Sequence, residues 1–299
     1  MTTTDTPPRR EVTAGRLLKT AARHSYDPDV DIDWDAPLAG DRYFHPPHRS
    51  SLYGTQLWER MSEAQRIELT KHETASIACM GIWFETILMQ MLIRHAYDTD
   101  PATAHTRFTY TEIAEECRHS KMFARMVEKF GCPGYGTGPV VHHLGRAFKA
   151  LSNGTLTFSA TMYVEEILDA LQREMMADET IEPIPREVSR VHVIEEARHI
   201  HFARDELLRQ WPKLGRGQRA VSRLVLGVVV YLATTRLIDP KVYANAGLDV
   251  DEAVRTATAN PHWRESKRFA ARKITTFLGE QGLIKGPGRI FWRRAGLVD

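Results

Sequence analysis

Cysteine pairs, nucleotide-binding loops and long apolar runs are all missing from this 299-residue sequence. Its three cysteines, Cys79, Cys117 and Cys132, form no CxxC pair and no metal-ligand spacing, so neither a thiolate metal site nor an iron–sulfur cluster is expected. Unpaired cysteines also fit a reducing cytoplasm. No G-x-G-x-x-G motif opens a βαβ unit, so a nicotinamide or flavin site is not predicted either.

An excess of charge of one sign is also missing, because 40 Lys and Arg residues nearly balance 38 Asp and Glu residues. The formal net charge of +2 gives no reason to expect a nucleic-acid partner. The first residues contain no apolar stretch of the kind found in secretory signals. The longest apolar run, LVLGVVVYLA at 224–233, is too short to cross a bilayer and predicts a buried helix. We therefore expect a cytoplasmic protein without a membrane span.

Strand patterns are missing as well, because no segment alternates convincingly between apolar and polar residues. From Leu57 onward the apolar period is helical, with breaks at Pro- and Gly-rich segments. The sequence predicts an all-α chain with helices at 57–70, 72–98, 103–130, 143–178, 186–211, 215–237, 250–259 and 262–282.

The breaks are too short to be flexible linkers, so we predict one main domain spanning residues 31–285. Residues 1–30 are polar and rich in Pro and Thr, which predicts a disordered tail. Residues 31–56 are expected to form an ordered loop over the body of the protein. Residues 286–299 are expected to form a basic C-terminal extension. A solvated basic surface is the simplest interpretation of this end of the chain, with a membrane or partner surface as the alternative.

The helical region contains a repeat at an offset of 80 residues. EIAEECRH at 112–119 and HVIEEARH at 192–199 share the pattern EExRH, and WFETIL at 83–88 aligns with YVEEIL at 163–168. The offset pairs Glu85 with Glu165, Glu116 with Glu196, and His119 with His199. It also selects Glu165 over the neighbouring Glu166 as the counterpart of Glu85.

A lone Glu on each of two helices and a Glu-x-x-His on each of the other two form the inward-facing ligand set of dinuclear carboxylate proteins. The i, i+3 spacing places each Glu-x-x-His pair on one helix face. Four carboxylates balance the charge of two divalent cations, whereas without metal they would repel one another. Mixed carboxylate and imidazole ligands favour iron, with manganese as the alternative. The competing interpretation is a pair of surface helices, with Arg118 and Arg198 bridging to Glu115 and Glu195 across solvent.

Three further residues are candidates for roles at this site. His192 shares a helix face with Glu196 and His199 and would be a seventh ligand, although an ordinary helix histidine is the alternative. Asp169, one turn after Glu165, could hold a ligating imidazole in orientation or could be an exposed helix residue. Gly81, one turn before Glu85, could leave room for a substrate or could allow close helix packing.

In its order of Glu, Glu-x-x-His, Glu and His-x3-Glu-x2-His, the sequence resembles the AurF-like p-aminobenzoate N-oxygenases. The match consists of Glu85, Glu116, His119, Glu165, His192, Glu196 and His199, and the additional histidine is typical of that family. The lead-in SLYGTQLWERMSEAQRIEL at 51–69 is also similar. The resemblance implies a ferritin-like helical bundle with a dinuclear metal site in its core and additional peripheral helices. Residues 31–285 would then form the di-iron oxygenase domain.

The resemblance also implies a function. Two iron ions would react with O2, through a peroxo-diferric intermediate, and oxygenate an arylamine or another amine. An external electron donor, such as a ferredoxin with its reductase, would be required, and a homodimer is a candidate assembly. Two other functions stay open on the same scaffold, namely hydroxylation or desaturation of C–H bonds and non-catalytic metal storage or sensing. The substrate is not predicted.

Overall fold

Four long helices form the centre of the molecule. The computed structural model describes residues 9–152 and 154–299. The four central helices are α4 (Glu63–Tyr97), α5 (Ala104–Lys129), α7 (Gly154–Ala177) and α8 (Pro183–Gln210). The helices α4 and α5 pack as one hairpin, α7 and α8 pack as the second, and the hairpins meet through α5 with α8 and α4 with α7. Among the described residues the predicted all-α bundle is confirmed.

Shorter helices surround this bundle. They are α1 (Arg9–Arg23), α2 (Pro28–Asp31), α3 (Gln56–Arg60), α6 (Pro139–Leu151), α9 (Arg216–Thr235), α10 (Lys241–Asn245), α11 (Val250–Ala259), α12 (Pro261–Glu280) and α13 (Arg289–Arg294). Helix α6 packs on α4, whereas α9 and α12 pack on α7. The helices α4, α6, α7 and α9 consequently enclose one side of the bundle.

Local sequence chemistry explains two helix boundaries that differ from the prediction. A single break at Met61–Ser62 separates α3 from α4, since the Ser62 hydroxyl accepts from the Gln65 amide and the Gln65 side chain accepts from the Ser62 amide. This capping box starts a new helix. The segment predicted as one helix at 143–178 is divided into α6 and α7, where Gly154 has a φ of +48° that other residues rarely adopt.

The prediction of a disordered tail over residues 1–30 is wrong for residues 9–23. They form α1, which packs on α5 and α8 and buries Ala14 and Ala21. Arg10 Nε donates to Glu206 on α8 at 3.0 Å, and the Glu11 carboxylate accepts from the Ala104 amide at 2.7 Å, capping α5. Residues 1–8 of the predicted tail lie outside the described residues.

The C-terminal residues are part of the core rather than an extension from it. The Trp292 side chain is fully buried against Tyr163 of α7, and their ring centroids are 5.4 Å apart. The backbone at Gly288 passes so close to α9 that a Cβ there would lie 2.2 Å from the Arg223 carbonyl oxygen. The basic side chains of α13 therefore stand on a segment that is anchored by tight packing.

The segment predicted to be an ordered loop at 31–56 does lie over the body, with Ile32, Trp34, Phe44 and Leu52 buried in the core. Within the described part of the chain, one parallel bridge joins Tyr43 to Ile181. Helix α4 is long and apolar enough to cross a membrane by length and composition alone. Half of that stretch is buried inside the protein and it carries Glu85, as expected for a central bundle helix.

Candidate metal centre

The repeat places its polar residues inside the bundle. Glu85 lies on α4, Glu116 and His119 on α5, Glu165 on α7, and His192, Glu196 and His199 on α8. All seven side chains are buried. Potential ligand atoms of Glu116, His119, Glu196 and His199 lie within 4.8 Å of one another, and so do those of Glu85, His119 and His192. Six of the seven predicted ligands thus meet in two adjoining groups that share His119.

Glu165, the seventh, belongs to neither group but faces the same cavity as Glu85, Glu116, His192 and Glu196. Neither of its carboxylate oxygens has a hydrogen-bond partner among the described residues. The neighbouring Glu166 points elsewhere and pairs with Lys273 at 3.0 Å and Arg204 at 3.3 Å. The choice of Glu165 over Glu166 made from the repeat therefore agrees with the direction of the two side chains.

The first glutamate of each EExRH motif contacts the histidine of the other motif. Glu195 Oε2 lies 2.9 Å from His119 Nε2, and Glu115 Oε2 lies 2.7 Å from His199 Nε2. The arginines cross in the same way, because Arg118 donates to Glu195 at 3.2 Å and Arg198 donates to Glu115 at 2.7 Å. Both glutamates and Arg198 are buried and Arg118 is only 30% exposed, so the surface-helix interpretation, with both pairs across solvent, is wrong.

The crossed contacts determine which imidazole nitrogen faces the carboxylates. When the imidazole is neutral and its Nε2–H is donated to a glutamate, Nδ1 of His119 and of His199 carries the free lone pair. His199 Nδ1 lies 2.8 Å from Glu116 Oε1 and 3.3 Å from Glu196 Oε2. A carboxylate that accepts from the distal nitrogen is the usual device for orienting a metal-binding histidine. Sequence reasoning missed this role for Glu115 and Glu195, although both stand in the repeated motif.

His192 is oriented in the opposite sense and by a different residue. Its Nδ1 lies 2.7 Å from Gln172 Oε1, while its Nε2 is 3.5 Å from Glu196 Oε2 and 3.6 Å from Glu85 Oε1. The prediction that Asp169 orients an imidazole is not met, because its Oδ2 accepts from Arg173 at 2.8 Å. Asp169 is nevertheless buried, so the alternative of an exposed aspartate is also wrong. Gln172 lies one helical turn from the predicted position.

The pKa values of the cluster reflect burial and crowding of like charges. Burial, reinforced by the charges of Glu196, Glu112 and Glu116, raises the pKa of Glu165 well above its usual range. Burial alone would lower the pKa of His119, but its hydrogen bonds with Glu116 and Glu195 raise it to about 10. Because these buried groups share charges and hydrogen bonds at close range, a cation bound there would compete with protons for the same atoms.

A further carboxylate completes the cluster. Glu112, one turn before Glu116, is buried, and burial raises its pKa well above the usual range. Its Oε2 has no hydrogen-bond partner among the described residues. It occupies the position that His192 occupies in the second half of the repeat, and this correspondence was the available signal for it.

The donor set fits a pair of divalent cations. Buried carboxylate oxygens without a hydrogen-bond partner among the described residues include Glu85 Oε1, Glu196 Oε1 and both Glu165 oxygens. Such atoms are costly unless a ligand compensates them. Carboxylate oxygens and imidazole nitrogens without thiolates suit iron or manganese better than a structural zinc. The residues present therefore match a dinuclear carboxylate site.

A cavity of about 460 Å³ ends at this cluster. It lies between α4, α6, α7 and α9, and Gly81 is part of its wall. A Cβ at Gly81 would also lie 3.3 Å from the Phe123 ring, so both explanations of this glycine apply. A pocket of this volume that reaches unpaired polar groups is where a small-molecule substrate would be expected.

Comparison with known proteins identifies the relatives. Residues 7–282 match the family described as P-aminobenzoate N-oxygenase AurF. The chain belongs to the AurF family. It is also 28% identical over 290 residues to proteins described as uncharacterized, Rv0885 of Mycobacterium tuberculosis and Mb0909 of Mycobacterium bovis. These alignments cover 93% of this chain and 84% of each relative. The resemblance read from the ligand order is thus confirmed, and AurF membership supports an oxygenase with a di-iron centre.

Proposed function

We propose that this protein uses O2 at a di-iron centre to oxygenate the nitrogen of an amine, with an arylamine as the first substrate class to test. The observation that carries the proposal is the buried set of carboxylates and imidazoles at the end of the cavity, in which several carboxylate oxygens have no hydrogen-bond partner among the described residues. Membership of the AurF family supports the same reaction type.

The seven residues Glu85, Glu116, His119, Glu165, His192, Glu196 and His199 would hold the two metal ions. When bound, iron would supply the activation of O2 and the redox chemistry, which side chains alone cannot supply. Glu116 and Glu196 both face Nδ1 of His119 and of His199, so these four residues would hold metal together.

The remaining residues position these ligands and keep water out. Glu115 and Glu195 hold the two imidazoles in one tautomer through the contacts at 2.7 Å and 2.9 Å. Gln172 does the same for His192, and the Ser120 hydroxyl donates to Glu85 Oε2 at 2.6 Å. Apolar side chains form most of the cavity wall, which excludes bulk water from the reacting end of a substrate.

Oxidation of C–H bonds is the second candidate. The apolar cavity wall favours it, because a hydrocarbon substrate would need no polar partner there. The two reactions differ in their products. An alkylated arylamine offers both an amine nitrogen and C–H bonds, so mass spectrometry of its oxygenated product separates the two reactions.

We also propose that the protein acts in the cytoplasm, with a homodimer as the candidate assembly. Electrons would come from an external donor such as a ferredoxin with its reductase. Repeated turnover requires re-reduction, so protein with O2 and no reductant should stop after about one turnover per site. Sustained turnover without any reductant would contradict this part of the proposal.

The central experiment is metal loading followed by single turnover. Wild-type protein, loaded anaerobically with ferrous iron, should bind two iron ions per chain and convert an arylamine to an N-oxygenated product on addition of O2. Glu116→Ala and Glu196→Ala should lose metal and product, whereas Glu128→Ala, at an exposed position of α5, should behave as wild type. Full metal retention in both ligand variants would refute the site.

A further inference from the structure

The wall of the cavity contains almost no polar groups. Among its described lining residues there is no Lys or Arg, and the acidic side chains and the histidine all belong to the metal-ligand set. Apart from these, the polar side chains are the hydroxyls of Ser152 and Thr161 and the indole of Trp83. The Ser152 hydroxyl already donates to the Phe148 carbonyl at 2.6 Å, whereas the buried Thr161 hydroxyl has no partner among the described residues. Little is left to hold a charged group.

A carboxylate would be poorly compensated at the inner end and in the middle of this cavity. At the inner end it would approach Glu85, Glu116, Glu165 and Glu196, or displace them from the metals. In the middle it would meet side chains such as Met91, Leu88 and Val229. Burial of an unpaired carboxylate is strongly unfavourable, since neither hydrogen bonds nor a counter-charge replace its hydration. A substrate of the size and charge of p-aminobenzoate therefore fits this cavity badly.

The cavity is also long. Its lining residues on α4 run from Met80 to Met91, and those on α9 run from Val221 to Ala233. At 1.5 Å per residue these stretches correspond to roughly 16–18 Å. A benzene ring with two small substituents would occupy only part of this length.

The outer end of the cavity opens between α6 and α9. Leu151 and Val221 line the cavity and are nevertheless 79% and 61% exposed, and Leu144 is exposed beside them. Large apolar side chains exposed together at a cavity mouth are typical of an entrance for apolar ligands. The described parts of both helices contain no acidic residue.

We propose that the substrate of this site is elongated and mainly apolar, that the part inside the cavity is uncharged, and that it enters between α6 and α9. This inference rests on the proposed function for the identity of the reacting end. It departs from the substrate in the family's name, because the described wall offers no cationic side chain to pair with that substrate's carboxylate.

The test is equilibrium binding to zinc-loaded protein, which cannot turn over. Calorimetry compares 4-aminobenzoate with 4-aminobenzamide, which matches its shape without the charge, and with the methyl, butyl and hexyl esters of 4-aminobenzoic acid. The amide should bind at least tenfold more tightly than the acid. Affinity should then rise by about fourfold for each methylene of the ester. Equal or tighter binding of the acid, or no gain along the ester series, would overturn the inference.

The route of entry has a matched pair of variants. Leu144→Trp should obstruct the mouth and reduce the association rate of the hexyl ester by tenfold or more. Val140→Trp is the control, because Val140 is also exposed on α6 but does not line the cavity. Equal rates in both variants, with circular dichroism spectra like that of wild type, would refute entry between α6 and α9.

Failure of this inference is distinguishable from failure of the proposed function. Tight ester binding without any oxygenated product in the iron-loaded protein would contradict the proposed reaction and leave the substrate class standing. Tight binding and N-oxygenation of 4-aminobenzoate itself would support the reaction and overturn the substrate class.

Discussion

The crossed pairs around His119 and His199 allow a quantitative prediction for Glu115→Ala. The change removes the carboxylate 2.7 Å from His199 Nε2 and the same distance from the Arg198 guanidinium. Loss of the group that orients a metal-binding histidine reduces metal affinity by about 10- to 100-fold, which corresponds to roughly 1.4–2.7 kcal/mol. We expect this loss in a chelator competition with wild-type protein.

Stability should fall as well. The Arg198 side chain is only 4% exposed, and breaking a buried ion pair costs roughly 3–5 kcal/mol. Because Arg198 would keep Glu195 at 3.7 Å, we expect the lower end of that range, about 3 kcal/mol, in urea unfolding of metal-free protein.

The repeat supplies the matched variant, Glu195→Ala. It should reduce metal affinity to a similar extent, since His119 loses the equivalent contact at 2.9 Å. It should cost less stability, roughly 1.5–3 kcal/mol, because its partner Arg118 is 30% exposed and can be hydrated. The reasoning is refuted if Glu195→Ala is the more destabilising change, or if either variant binds metal as tightly as wild type.

Three other predictions concern separate parts of the molecule. His192→Ala should keep the fold and at least one metal ion but lose oxygen-transfer activity, whereas His201→Ala, exposed on the same helix, should match wild type in metal analysis and turnover. Gly288→Ala should lower the melting temperature and reduce the free energy of unfolding by about 1–3 kcal/mol, because the added Cβ meets the backbone of α9. Gly279→Ala has free space around its Cβ and should be neutral or stabilising, so equal melting temperatures for the two variants would contradict the packing argument. Burial, with the charges of neighbouring residues, lowers the pKa of His105 from 6.5 to about 3, so the unfolded chain takes up a proton first as pH falls and stability is lost from about pH 6.5 downward. In urea unfolding, His105→Gln should therefore lose less stability than wild type between pH 7 and pH 5. An unchanged loss would refute this assignment.

The sequence alone determined the helical class and identified the candidate ligand residues. Helical periodicity and the spacing of Glu-x-x-His are local properties, because residues three apart share a helix face wherever the helix is placed. The offset of 80 added a second, independent constraint, which selected Glu165 over Glu166 and paired Glu85 with it. That these residues bind metal stays a prediction, although six of them meet within ligand distance.

The errors were made where local signals are weak. Helix α1 is short and mixes charged with small apolar residues, so its stability depends on contacts such as that of Arg10 with Glu206, 196 residues away. The C-terminal segment was predicted to be an extension because its charges are numerous. Arg289, Arg293 and Arg294 are exposed as expected, but the segment is held to the core by Trp292, whose burial depends on α7 and α9 being in place. Helix periodicity carries no information about such partners.

Only the tertiary structure decided how the residues around the ligands are used. Whether Gln172 or Asp169 contacts His192 depends on the rotation of α7 against α8, which a sequence pattern does not specify to within one turn. The crossing of Glu115 to His199 and of Glu195 to His119 requires two helices to face each other at a definite depth. The same holds for the cavity, since its wall is assembled from four helices and its apolar character follows from their packing.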